Sequence, residues 1–181
     1  MIVWIPTFLL LVALLFYAVH TRIHRLKGKV VLTEEQRTRL LELAARSLES
    51  SDVPVGALLI YEGKIIGEGY NEVLRNSKAG EHAEINAISS SIAAMGMVKF
   101  SSLDRNSLVL ISTFEPCLMC AGAFINYNIQ HVLFMKEKDL IYSGREEGLF
   151  VRYLLQRRQI RSNREQDILF EKHPAYPGRS K

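Results

Sequence analysis

HAEINAI, residues His82 to Ile88, sets a histidine and a carboxylate two positions apart at the start of an apolar run with helical spacing. Ala83, Ile85, Ala87 and Ile88 are core residues by type, and burial beside them penalises polar groups that lack partners. The partners have to come from elsewhere in the chain. A second stretch, EPCLMC, residues Glu115 to Cys120, holds the only two cysteines of the sequence. Three apart at a helix start, both sulfurs lie on one face, and the helix N-terminus favours thiolate over thiol.

Two thiolates suit zinc, and a structural zinc site closes with four Cys or His ligands. With two cysteines available, His82 is the natural third ligand, and three protein ligands leave the open position of a catalytic zinc that holds water. Water bound there drops from a pKa of about 15.7 toward about 7. Glu84 is placed to move its proton as a general acid/base without ligating the metal. A redox-active Cys-x-x-Cys is the other reading, but its thioredoxin-like form follows the first strand and needs no distant histidine. In isolation His82 reads as a core histidine and Glu84 as a charge favoured by a helix N-terminus. The cysteine pair turns both toward a metal.

The surrounding pattern is that of an α/β domain. TEEQ at Thr33–Gln36 is a capping box, and Leu40, Leu41, Ala44 and Leu48 follow at helical spacing, which predicts a helix to about Ser50. VGALLIY (55–61) and KIIGEGYN (64–71), separated by Glu62-Gly63, predict a strand hairpin. A helix opens at HAEINAI, and a polar stretch near 100–107 leads to a buried strand, LVLIST (108–113). CLMCAGAFINY predicts a helix, HVLFM (131–135) a strand that His131 opens in a structural role, and 147–158 a further helix. Strands alternating with helices indicate layered α/β architecture.

His82-Ala83-Glu84 with Pro116-Cys117-Leu118-Met119-Cys120 resembles the cytidine deaminase-like superfamily of zinc-dependent deaminases, with its H-x-E and P-C-x-x-C pattern. The longer string EPCLMCAGA, and PVGALLIYEGKIIGEGYN (54–71), resemble its tRNA adenosine deaminase and guanine deaminase branch. The resemblance covers roughly Thr33 to Met135. It implies a three-layer fold with a central mixed sheet of about five strands flanked by helices. It implies His82, Cys117 and Cys120 as ligands of Zn2+, and Glu84 as proton shuttle. Asn71 matches an asparagine that bonds the substrate base, and the Ala83 backbone N–H meets the ring carbonyl or nitrogen. The implied reaction is attack of zinc-bound hydroxide on an amidine carbon with release of ammonia. A homodimer is also implied. At 135–147 the sequence, MKEKDLIYSGREE, is bulky and charged where that branch carries a glycine-containing segment, and the loop 95–107 looks inserted.

Residues 2–19 contain no charge, and eighteen such residues span about 30 Å of hydrocarbon as a helix. Arg22, Arg25, Lys27 and Lys29 follow it, so the positive-inside rule predicts a single-pass membrane anchor with the catalytic domain cytoplasmic. A cleaved signal would need a basic segment before the apolar run and small residues after it. The expected organisation is an anchor at 1–20, a basic linker at 21–32, a zinc deaminase domain at 33–160 and a tail at 161–181.

Beyond the flank, charges balance over residues 31–181, but 151–181 hold eight Lys or Arg against three Asp or Glu. The neutral whole lacks the footprint of a dedicated nucleic-acid binder, while the tail offers a local basic region. The expected substrate is therefore a base, nucleoside or related small amine-bearing metabolite. A tRNA or RNA adenosine deaminase using the basic C-terminal region is the first alternative, and a zinc-stabilised, membrane-tethered binding module without catalysis the second.

Overall fold

The protein is described as a computed structural model at residues 10–17, 32–139, 144–146 and 148–149. The chain forms two units, Met1–Asp139 and Leu140–Lys181. The first unit contains helix α1 (Glu34–Ser47), strands β1 (Gly56–Tyr61) and β2 (Lys64–Tyr70), and the short helix α2 (Val73–Asn76). Helices α3 (Ala83–Met95) and α4 (Met97–Ser102), strand β3 (Leu108–Phe114), helix α5 (Leu118–Asn126) and strand β4 (His131–Lys136) follow. In the second unit the described residues 144–146 and 148–149 are helical, and most of the helix expected at 147–158 lies outside them, as does the expected boundary at 160/161.

Among the described residues four strands in the order β2-β1-β3-β4 make one mixed sheet, where about five strands were expected. β1 is antiparallel to both β2 and β3, whereas β3 and β4 are parallel and joined through α5, the crossover that parallel neighbours require. Glu62 and Gly63, with φ of 49° and 77°, form the expected hairpin turn. Both central residues are left-handed, as a two-residue hairpin loop prefers.

Alternation along β1 and β3 divides the core into two layers. Leu59, Leu108 and Leu110 pack with Ile88, Phe100, Cys120 and Phe124 from α3, α4 and α5. Leu58, Ile60, Val109 and Ile111 pack on the opposite face with Leu40 and Leu43 of α1. With helices on both faces, β1 and most of β3 are buried along their length, which explains their unbroken apolar sequences. The three-layer arrangement expected from the sequence is present.

The Thr33 capping box forms as expected, with Gln36 N–H donating to Thr33 Oγ1 at 3.1 Å and Thr33 N–H to Gln36 Oε1 at 3.2 Å. Gln36 Nε2 also donates to Gly63 O at 2.8 Å, tying the start of α1 to the hairpin turn. The polar stretch expected at 100–107 differs: Gly96, at φ 83°, ends α3, and α4 follows at once. Phe100, 1% exposed, anchors this helix and meets Tyr127 edge-on at 6.1 Å between ring centroids.

Among the described residues no helix is long and apolar enough to cross a membrane, so the expected transmembrane helix is not part of the described architecture. Of the expected span 2–19, only the helical residues 10–17 are described, and the rest lies outside.

Candidate metal centre and active site

Two helices begin at the same place. His82 is the N-cap of α3 and Cys117 the N-cap of α5, which follows the carboxyl end of β3. An N-cap side chain ordinarily satisfies an orphan backbone N–H of its own helix. Neither does so here. Instead His82 Nδ1 lies 3.5 Å from Cys117 Sγ and 3.6 Å from Cys120 Sγ, and the two sulfurs are 3.7 Å apart.

These separations test the fit to zinc. Tetrahedral ligands at Zn–S of about 2.3 Å and Zn–N of about 2.05 Å stand about 3.8 Å apart between sulfurs and about 3.6 Å between sulfur and nitrogen. The donor triangle has those edges, and the sulfurs are too far apart for a disulfide, which needs about 2.05 Å. His82, Cys117 and Cys120 form the one such group among the described residues. The three residues that the sequence singled out as ligands are brought together.

The electrostatics suit the same set. The hydrogen bond between the two sulfurs, with help from His82 and against burial, draws the Cys117 thiol down to about 3. Cys120 is pushed up by its bond to Cys117 and by burial, and a bound metal would displace its proton. His82 is raised chiefly by its contact with Cys117.

Glu84 is 3% exposed and faces the sulfurs, with the Cys120 thiol donating to Oε2 at 3.4 Å. Burial raises its carboxyl above the ordinary carboxylate range. The hydroxyl of Ser112, a fully buried residue of β3, donates to Oε1 at 3.3 Å. Ser112 was not singled out in the sequence, where it reads as the tail of an apolar strand. A hydroxyl within an apolar strand covered on both faces was the available signal.

Asn71 follows β2 and is 9% exposed. Its Nδ2 donates to Val53 O at 3.1 Å and its backbone N–H to Val55 O at 2.9 Å. Its Oδ1 is buried without a protein partner. No direct bond joins Asn71 to the metal triad among the described contacts. Ala83 is fully buried as the first residue of α3, a position whose N–H has no partner within the helix.

A family model described as the cytidine and deoxycytidylate deaminase zinc-binding region matches residues 32–136. The chain is 38% identical over 96 residues to tRNA-specific adenosine deaminase 2 of Xenopus laevis, covering 51% of this chain and 55% of that protein. It is 38% identical over 101 residues to the tRNA-specific adenosine deaminase of Buchnera aphidicola subsp. Schizaphis graminum, covering 55% and 64%. The chain thus spans less than two thirds of the length of either relative. Among solved structures, a guanine deaminase from Nitrosomonas europaea aligns with a TM-score of 0.53 at 26% identity, over 64% of this chain and 65% of that one. A guanine deaminase from Bacillus subtilis shares the fold with a TM-score of 0.62 at 22% identity, over 80% of this chain and 99% of that one. Matched over more than half its length and carrying the zinc donor set in place, the chain belongs to the cytidine and deoxycytidylate deaminase zinc-binding family.

Proposed function

We propose that the protein is a zinc-dependent hydrolytic deaminase of a nucleobase, free or in a nucleoside, and that the ring is a purine. The observation that carries this reading is the donor triangle of His82, Cys117 and Cys120 with the buried carboxylate of Glu84 against it. When bound, zinc supplies a Lewis acid that activates water near neutral pH. Glu84 takes the proton of the attacking water and delivers it to the departing amine. The new C–O bond replaces the C–N bond, the ring gains a carbonyl, and ammonia leaves. The Ala83 N–H donates to an acceptor on the ring. Asn71 Oδ1, buried and unpaired, accepts from a ring or exocyclic N–H.

The purine assignment draws on relatives named as tRNA-specific adenosine deaminases and on structural neighbours named as guanine deaminases. The test is ammonia release by the zinc-loaded chain across adenine, guanine, cytosine, their nucleosides and an RNA hairpin containing adenosine. Release from a purine supports the proposal, whereas release from cytosine or cytidine alone overturns the ring assignment.

Adenosine within RNA is the second reading, favoured by the 38% identity to the two tRNA-specific relatives. Phosphate contacts from the basic residues of 151–181 make binding to the hairpin fall steeply with added salt. Salt-insensitive binding contradicts it. Homodimerisation through the outer face of α5 fits the exposure of Leu118, Met119 and Ile125, at 41, 43 and 81%. Membrane anchoring is proposed from the uncharged run 2–19 and the basic residues Arg22, Arg25, Lys27 and Lys29 that follow it. Resistance of the membrane-bound chain to carbonate extraction tests the anchor, and release by carbonate contradicts it.

A further inference from the structure

Each of the three metal donors is tied to the helix that carries or follows it. Cys120 lies inside α5 and is fully buried in the core. The carbonyl of His82 accepts from Asn86 N–H at 2.9 Å in the first turn of α3. The carbonyl of Cys117 likewise accepts from Ala121 N–H at 2.9 Å in the first turn of α5. Cys117 also ends the short turn Glu115–Cys117 between β3 and α5 and is half-buried, and its side chain makes no cap bond to its own helix.

That turn is held from the far side. Glu115 N–H donates to Lys136 O at 2.9 Å, continuing the parallel pairing of β3 and β4 by one bond. Two residues on, Lys138 N–H donates to the Glu115 carboxylate at 2.8 Å. The Lys138 ammonium then donates to Pro116 O, the carbonyl of the peptide that enters Cys117, at 3.0 Å. Three bonds of ordinary length thus tie the Cys117 turn to residues 136–138. Glu115 contributes its backbone donor and its carboxylate to the same short segment, so it cannot rotate away without losing both ends.

We infer that Glu115 and Lys138 are positioning residues for the metal, holding the Cys117 turn so that its sulfur meets those of Cys120 and His82 at zinc-compatible spacing. Neither touches the metal. Their effect passes through the Pro116–Cys117 peptide, and residues that orient metal ligands in this way are typically worth about 10- to 100-fold in metal affinity.

The test is zinc affinity of the full chain, measured by competition with a chromophoric chelator, alongside the absorption spectrum of the cobalt-substituted protein. It needs no substrate, so its outcome is separate from that of the deaminase proposal. Glu115→Ala is expected to weaken zinc by about 10- to 100-fold and to shift the cobalt bands as the thiolate geometry relaxes. Glu115→Gln keeps an oxygen to accept the Lys138 N–H and is expected to recover most of the affinity. Lys138→Met removes the bond to Pro116 O and is expected to weaken zinc several-fold, with rescue by Lys138→Arg. If Glu115→Ala does not fold, the Glu115→Gln protein and the Lys138→Met/Lys138→Arg pair give the answer alone. Zinc affinity within twofold of wild type in Glu115→Ala or Lys138→Met, with an unaltered cobalt spectrum, overturns the inference. So does a Glu115→Gln protein as weak as Glu115→Ala, or a Lys138→Arg protein as weak as Lys138→Met.

Discussion

Gly69 of β2 lies directly beneath the carbonyl oxygen of Ala83, so closely that a β-carbon at residue 69 would collide with it and stand 2.8 Å from Asn86 Cβ. Gly67, two residues earlier on the same face, meets Ala87 O and Ser91 Cβ in the same way. The absent side chains let the first turns of α3 press against the strand, and that turn carries His82, Ala83 and Glu84. Overpacking here costs about 1–3 kcal/mol, so Gly69→Ala is expected to lower the urea midpoint accordingly. Gly80→Ala, where the added carbon meets nothing within 4 Å, is the control expected to stay within about 0.5 kcal/mol. Equal stability of the two variants contradicts this account of the packing.

Asp52 fastens the loop between Asn71 and His82. Its carboxylate accepts from Leu74 N–H at 2.7 Å, from Arg75 N–H at 3.1 Å and from the Ser50 hydroxyl at 2.7 Å. Burial opposes ionisation, but these bonds outweigh it and hold the carboxyl below its ordinary 3.8. A folded-state value below the unfolded one adds stability that is complete above the ordinary value and is lost as pH falls through the folded one. Unfolding free energy is therefore expected to decline below about pH 4, with a shallower decline in Asp52→Asn. Identical acid limbs in the two proteins contradict the assignment.

Metal removal gives a stability signature of its own. At zinc 100-fold above its dissociation constant, binding adds about 2.7 kcal/mol, which a chelator should abolish as a measurable drop in Tm. Cys120→Ser and His82→Ala are each expected to bind less than one tenth as much zinc as wild type under the same competition. Undiminished zinc in either variant contradicts the ligand set.

Ser112 offers a hydroxyl to Glu84 at 3.3 Å within the buried face of β3. Ser112→Ala leaves the carboxylate without that donor, and a drop of about tenfold in kcat with little change in KM is expected, equivalent to about 1.4 kcal/mol of barrier. A rise in KM alone would show that the serine acts on substrate binding instead.

The parts of the site readable in the sequence were those set by short spacing. His82 and Glu84 sit two apart and Cys117 and Cys120 three apart, and helix geometry turns such intervals into directions without knowledge of the fold. The hairpin at Glu62-Gly63 and the Thr33 capping box were legible for the same reason. The α4 helix was not, because six residues with one core side chain, Phe100, carry too little periodicity. Phe100 packs against Tyr127 and the sheet, contacts that only the tertiary structure supplies. Ser112, Glu115 and Lys138 were missed similarly, since their partners lie 28, 23 and 22 residues away in the chain.

In the proposed reaction a buried carboxylate beside a His-Cys-Cys zinc site moves the proton of a hydrolytic deamination. This step is tested most directly by ammonia release from zinc-loaded Glu84→Gln and wild-type protein, with zinc content measured on the same samples. Equal zinc in both and a rate about 10²- to 10⁴-fold lower in the variant are expected. Equal zinc with an undiminished rate would contradict it.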